Sequence, residues 1–142
     1  MHDTAAGAED ESLLEAFWAV TRRLRHRTRI ALEPWNVSPS QSRAIGVLTR
    51  HGEMRLSALA EHLRIAPRSA TEVVDDLQQR GLVSRRPDPA DRRATLVALT
   101  GEGEATATAI HDARTAEGER LFAVLGEADR AELTRILRAL RD

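Results

Sequence analysis

The stretch IAPRSATEVVDDLQQRGLVSRRPDPADRRATLVALT, Ile65 to Thr100, decides how the chain folds. Its first half has helical spacing. Ala70, Val73, Val74 and Leu77 fall at i, i+3, i+4 and i+7 and make a single apolar stripe. Pro67 fits the first helical position, where its missing N–H leaves no bond unmade. Gly81 supplies the left-handed residue that ends the helix. Arg68, Ser69, Thr71, Glu72 and Asp75 lie off the stripe and face outward. Short hydrogen-bonding groups and a guanidinium on an exposed helix suit the reading of base edges in a major groove.

The second half predicts two strands and a turn. Leu82 to Arg86 form the first strand. Pro87-Asp88-Pro89-Ala90-Asp91 must turn, and Ala94 to Leu99 alternate as the second strand. A helix followed by a hairpin whose tip carries Arg92 and Arg93 is a winged helix, with the helix for the major groove and the wing for the neighbouring backbone or minor groove. Arg85 and Arg86 alternate across a strand, so one of the two can face DNA phosphate.

These residues resemble the DNA-binding core of the MarR family of bacterial transcription regulators. The resemblance rests on Arg80-Gly81-Leu82-Val83 closing the helix, then the wing signature D-x-R as Asp91-Arg92-Arg93, with Leu99-Thr100 ending the second strand. It extends over nearly the whole chain. It implies a dimer that binds double-stranded DNA, and release of that DNA by a small aromatic or phenolic effector seated between the dimer helices and the winged helix. Phe17, Trp18, Arg22, His26, Trp35 and Leu48 are the candidates to line such a site, although interface packing accounts for the two Trp equally well. Arg68, Ser69, Thr71 and Glu72 are the candidate base readers. Arg92 and Arg93 are candidates for the minor groove, and Arg85 or Arg86 for phosphate. Asp91 is placed to fix an arginine bidentately and stabilise the wing.

The rest of the chain is read around that core. Ser38-Pro39-Ser40-Gln41 makes a capping box for a helix carrying Ala44, Ile45, Val47 and Leu48. Met54-Arg55-Leu56 predicts a short strand pairing with the wing, and Ser57 a cap for a short helix through Leu63. Arg64 stands where such turns often hold Gly, which predicts a slightly opened turn. Gly101-x-Gly103 is explained by capping from Thr100. Asp76 is placed to pair with Arg80 at i+4.

Two amphipathic helices flank this core. Leu13, Leu14, Phe17, Val20 and Leu24 line one, and Leu133, Ile136, Leu137 and Leu140 the other. The expected organisation is a disordered tail at 1–9, an N-terminal dimerisation helix at 10–36, the winged helix-turn-helix at 38–100 and C-terminal dimerisation helices at 101–142. The fold class is mainly α with a small β-wing. Packing the terminal helices of two chains together would cover their apolar faces and present two reading helices about one DNA turn apart.

Composition bounds the function. The 142 residues carry a net charge of -1, and all 21 basic residues are Arg. That near-neutral balance keeps a rival reading open, a winged helix that binds only protein. The arginines cluster at 22–29 and 80–93, away from the acidic ends, so a basic face is feasible. With 0 Cys, disulfides and thiol chemistry are excluded. The five His lack ligand spacing, Asp75-Asp76 diverge by about 100° on a helix, and Ser57 and Ser69 have no His in register. No enzyme, metal or cofactor is therefore expected. Without an apolar run or a leader pattern, a cytoplasmic protein away from membranes is expected.

Overall fold

A computed structural model of the protein describes residues 11–142; the expected disordered tail at 1–9 lies outside them. The elements are α1 (Leu13–Ala31), α2 (Pro39–His51), β1 (Met54–Arg55), α3 (Leu56–Leu63), α4 (Pro67–Gln79), β2 (Val83–Pro87), β3 (Thr95–Leu99), α5 (Gly101–Phe122) and α6 (Glu127–Arg141). Among the described residues, six α-helices and a three-stranded antiparallel sheet ordered β1-β3-β2 give the expected class, mainly α with a small β-wing. The chain divides into two compact units, Leu32–Asp112 and, from the described residues, 11–31 with 113–142. The unit holding the winged helix is thus longer than 38–100 at both ends.

The core of the Leu32–Asp112 unit is aliphatic. Ile45, Leu59, Val74, Leu77 and Val97 are its largest fully buried side chains, and Ala44, Ala60 and Ala70 let helices approach closely. On α4 the buried stripe is Ala70, Val74 and Leu77, with Val73 half-buried at its margin. The Ser38 capping box forms as the sequence predicts: Gln41 N–H donates to Ser38 Oγ at 3.1 Å and Ser38 N–H donates to Gln41 Oε1 at 3.0 Å.

Matching turns bracket α4. At its exit Gly81 has φ +74, its N–H donates to Gln78 O at 3.0 Å, and Leu82 N–H donates to Leu77 O at 2.9 Å. That is a Schellman motif. At its entry Arg64 has φ 54, Arg64 N–H donates to Glu61 O, and Ile65 N–H to Ala60 O. The turn between α3 and α4 is therefore closed in the left-handed form, correcting the opened turn expected there. Arg64 bears the strain of that conformation, on the order of 1–2 kcal/mol for a residue with a Cβ.

Three local expectations are also corrected. Ser57 does not cap α3; Arg55 is the capping residue and contributes no side-chain bond. Pro87 is the last residue of β2, paired with Thr95. It is tolerated because β2 is an edge strand. Arg80 does not pair with Asp76. Its guanidinium donates to the carbonyls of Trp35 and Asn36 and to Gln41 Oε1, tying the end of α4 to the turn before α2.

Thr100 does cap α5, accepting from Gly103 N–H at 3.0 Å, but capping does not explain Gly103. A Cβ there would lie 1.9 Å from the Leu82 carbonyl oxygen and 3.3 Å from the Leu99 side chain. Gly103→Ala must push α5 off the base of the wing, and a loss of roughly 1–3 kcal/mol or more is expected. The urea midpoint of the variant, compared with Gly101→Ala, where nothing lies within 4 Å of the added Cβ, measures it.

Candidate nucleic-acid interface

Helix α4 presents the candidate readers. Arg68, Ser69 and Glu72 are exposed and Thr71 is half-buried. Thr71 Oγ1 donates to Pro67 O at 3.0 Å, so its hydroxyl proton is used within the helix and only its lone pairs are available outward. The wing projects beside the entry of α4. A cleft of about 540 Å³ between them is lined by Pro67, Thr71, Arg55, Asp91 and Arg93 among others.

The wing tip is polar and built on its own backbone. Asp91 Oδ1 accepts from Arg93 N–H at 3.1 Å and from Arg93 Nε at 3.2 Å. Arg93 nevertheless keeps 92% of its side chain exposed, and Arg92 is exposed beside it.

Sequence reasoning missed the acid that holds the wing root. Asp88 is buried, at 8% exposure. Its Oδ1 accepts from Ala90 N–H at 2.9 Å, and its Oδ2 accepts from Arg55 Nε at 2.7 Å across the sheet. Its backbone N–H donates to Ala94 O at 3.0 Å and closes the hairpin. The Ala90 N–H and the Arg55 guanidinium hold its carboxyl below the usual carboxylate range.

Strand pairing explains how these charges meet. Arg55 pairs with Leu96, and Leu96 with Arg86, so the three share one sheet face. Glu53 and Asp88 lie two residues along from Arg55 and Arg86, and therefore on that same face. Arg86 donates to Glu53 with both Nη2, at 2.7 Å, and Nε, at 3.1 Å, which keeps Glu53 ionised below its ordinary range. Arg85 points to the opposite face, toward α4, where it pairs with Asp75 at 2.6 Å and Gln78 at 2.7 Å. Both candidate phosphate arginines are thus occupied by carboxylates of the same chain. The signal for Glu53 and Asp88 was their register with β2, which cannot be read before the strand pairing is known.

The remaining candidates lie elsewhere. Phe17 and Trp18 pack edge to face at 5.7 Å on α1, and both are exposed. Arg22 is exposed, and His26 shares a 2.9 Å hydrogen bond with Arg29. Trp35 is half-buried, with its carbonyl bound by Arg80. Leu48 is buried in the core of its own unit. His51 and His62, eleven positions apart, stack with ring centroids 4.5 Å apart, a pairing the sequence spacing hid.

The comparisons with known proteins agree with this geometry. Residues 37–95 match the MarR family. The HTH-type transcriptional regulator Mb0904 of Mycobacterium bovis is 36% identical over 135 residues, covering 95% of this chain and 87% of the relative. This chain belongs to the MarR family. The HTH-type transcriptional repressor MdtR of Bacillus subtilis is 26% identical over 118 residues, covering 83% of this chain and 76% of the relative. Among solved structures, RV1404 from Mycobacterium tuberculosis superposes with a TM-score of 0.82 at 28% identity, covering 93% of this chain and 94% of that one. Like its MarR relatives, the chain is a DNA-binding transcription regulator, and these relatives are named regulators, not enzymes. Among the described residues, no helix is long and apolar enough to cross a membrane.

The depressed pKa of Asp88 has a consequence for wing stability. Asp88 contributes stability that is fully present above the unfolded carboxylate value of about 3.9 and is lost as pH falls through its lower folded value. Asp88→Asn should therefore melt below the wild type at neutral pH. The gap should close as the pH is taken below about 3.9, as thermal melts across that range would record.

Proposed function

We propose that this MarR protein acts as a homodimeric, ligand-responsive repressor on a pseudo-palindromic operator. The carrying observation is the state of the flanking helices. Among the described residues, neither α1 nor α6 buries a single side chain. Leu13, Leu14, Phe17, Val20, Ile136, Leu137 and Leu140 all remain exposed. Apolar stripes of that length are stabilised by covering, and a second copy of the same chain offers the complementary stripes. Each chain carries one α4 and one wing, so a two-fold pair supplies two reading heads for two half-sites, roughly 10 base pairs apart.

Within each half-site Arg68, Ser69, Thr71 and Glu72 read base edges, Arg92 and Arg93 enter the minor groove, and Arg85 or Arg86 takes phosphate. Repression is supported by the relative named as a repressor. An effector site is supported on α1 by the exposed Phe17–Trp18 pair with Arg22 and His26 nearby in sequence, aromatic rings with a guanidinium close along the helix, which suits a small aromatic anion. Cytoplasmic residence fits a regulator of DNA.

Replacing Arg92 and Arg93 together with Ala tests the wing. Affinity for duplex DNA should fall, and the slope of log K against log salt should become shallower by about 1–2 units. Folding should change by no more than about 0.5 kcal/mol, since both side chains are exposed. A lowered melting temperature with an unchanged salt slope would make them braces of the hairpin instead.

Leu137→Arg tests the assembly. A charge placed within the α6 stripe should leave monomers or aggregates in sedimentation. An intact dimer would place the interface on other residues.

A further inference from the structure

DNA affinity in a chain of net charge -1 depends on how many arginines are free, not on how many exist. Four arginines of α4 and the wing fall into two groups. Arg68 and Arg92 are exposed and make no ion pair among the described residues. Arg85 and Arg86 are both engaged. Asp75 Oδ1 lies 2.6 Å from Arg85 Nη2, and Glu53 Oε1 lies 2.7 Å from Arg86 Nη2.

Asp75 comes seven residues after Arg68, so it stands on the same outward face of α4 two turns later. Glu53 reaches Arg86 from the residue before β1, across the full width of the sheet. The two carboxylates come from different elements and hold neighbouring arginines on opposite faces of β2. Side-chain exposures of 54% for Asp75 and 36% for Glu53 leave both pairs in contact with water, where such pairs hold weakly and can exchange partners.

We propose that Asp75 and Glu53 are built-in counter-charges that occupy Arg85 and Arg86 and so suppress sequence-independent binding to DNA. A phosphate must displace a carboxylate to recruit either arginine. On random duplex no base-edge contacts offset that exchange, so the arginines stay on their own acids and fewer counterions are released. The device deepens the reading of the wing strand as a phosphate contact and rests on it.

Binding of the full-length protein to a random-sequence duplex, measured over a series of salt concentrations, tests it. Because Arg85 and Arg86 lie on opposite faces of β2, the one of Asp75→Asn and Glu53→Gln whose arginine faces DNA should tighten binding about 3- to 8-fold near 0.1 M salt and steepen the salt slope by about one unit, the release expected for one added phosphate contact. The other should change it little, and tightening by neither would overturn the proposal. That gain should be lost when the partner arginine is replaced, Arg85→Gln for Asp75→Asn or Arg86→Gln for Glu53→Gln, and kept when the other arginine is replaced. Equal gains in both backgrounds would reduce the effect to net charge and overturn the proposal. Weaker binding by the acid variants would overturn it too, by making the carboxylates positioning groups for the arginines. Wild-type protein with no salt-dependent duplex binding would instead remove the DNA-contact reading of the wing strand, and the proposal with it.

Discussion

The winged helix hangs on one backbone carbonyl, that of Leu82. It accepts from Thr100 N–H at 3.0 Å, and the preceding Gly81 carbonyl accepts from Thr100 Oγ1 at 2.5 Å. Thr100 Oγ1 in turn accepts from Gly103 N–H, starting α5. Leu82 N–H meanwhile closes the turn that ends α4. The exit of the reading helix, the base of both wing strands and the first turn of α5 therefore share one small set of bonds. Only a residue without Cβ at 103 lets α5 approach that carbonyl. The orientation of the wing relative to α4 is fixed there, at the root, far from the wing tip.

The wing itself has too little apolar surface to hold its shape by burial. Val83 and Val97 anchor its base in the core, and beyond them β2 carries Arg85, Arg86 and Pro87 while the residues of β3 around Val97 are half-buried. Charges take over where the core ends. Asp88 is a buried acid with two hydrogen-bonded partners, so its desolvation is offset. Removing it leaves Arg55 unpaired and the Ala90 turn unsupported. Asp91 works more locally, ordering Arg93 from two residues away. The wing is held by bonds to Arg55 and Ala90 at the root and is open to solvent at the tip.

Local rules made much of this legible in the chain. The capping box at Ser38, the Gly81 stop, the α4 stripe and the two wing strands each depend on residues a few positions apart, and each took the form their chemistry dictates. What escaped were contacts between distant residues. Arg80 reaches the turn at Trp35 and Asn36 instead of its helical neighbour Asp76, because backbone carbonyls freed by a left-handed Asn36 offer a planar guanidinium several acceptors at once. Arg64 adopted the left-handed turn despite its Cβ, because the tertiary packing of α3 against α4 outweighs a local preference of that size. The partners of Asp88 and Glu53 required the order β1-β3-β2, and no periodicity encodes that.

The same distinction bears on charge. A net charge of -1 argues against DNA binding only if charges are averaged over the surface. In the folded unit several of them are sorted into bonded pairs. Glu53 and Asp88 lie against Arg86 and Arg55, and Asp75 against Arg85, so these acids lower the field of particular arginines more than that of the whole face. Among the cations without a carboxylate from another element, Arg68 lies on α4 and Arg92 and Arg93 on the wing tip, the two elements that a winged helix presents to DNA. A near-neutral protein can in this way still carry unpaired positive charge on those two elements.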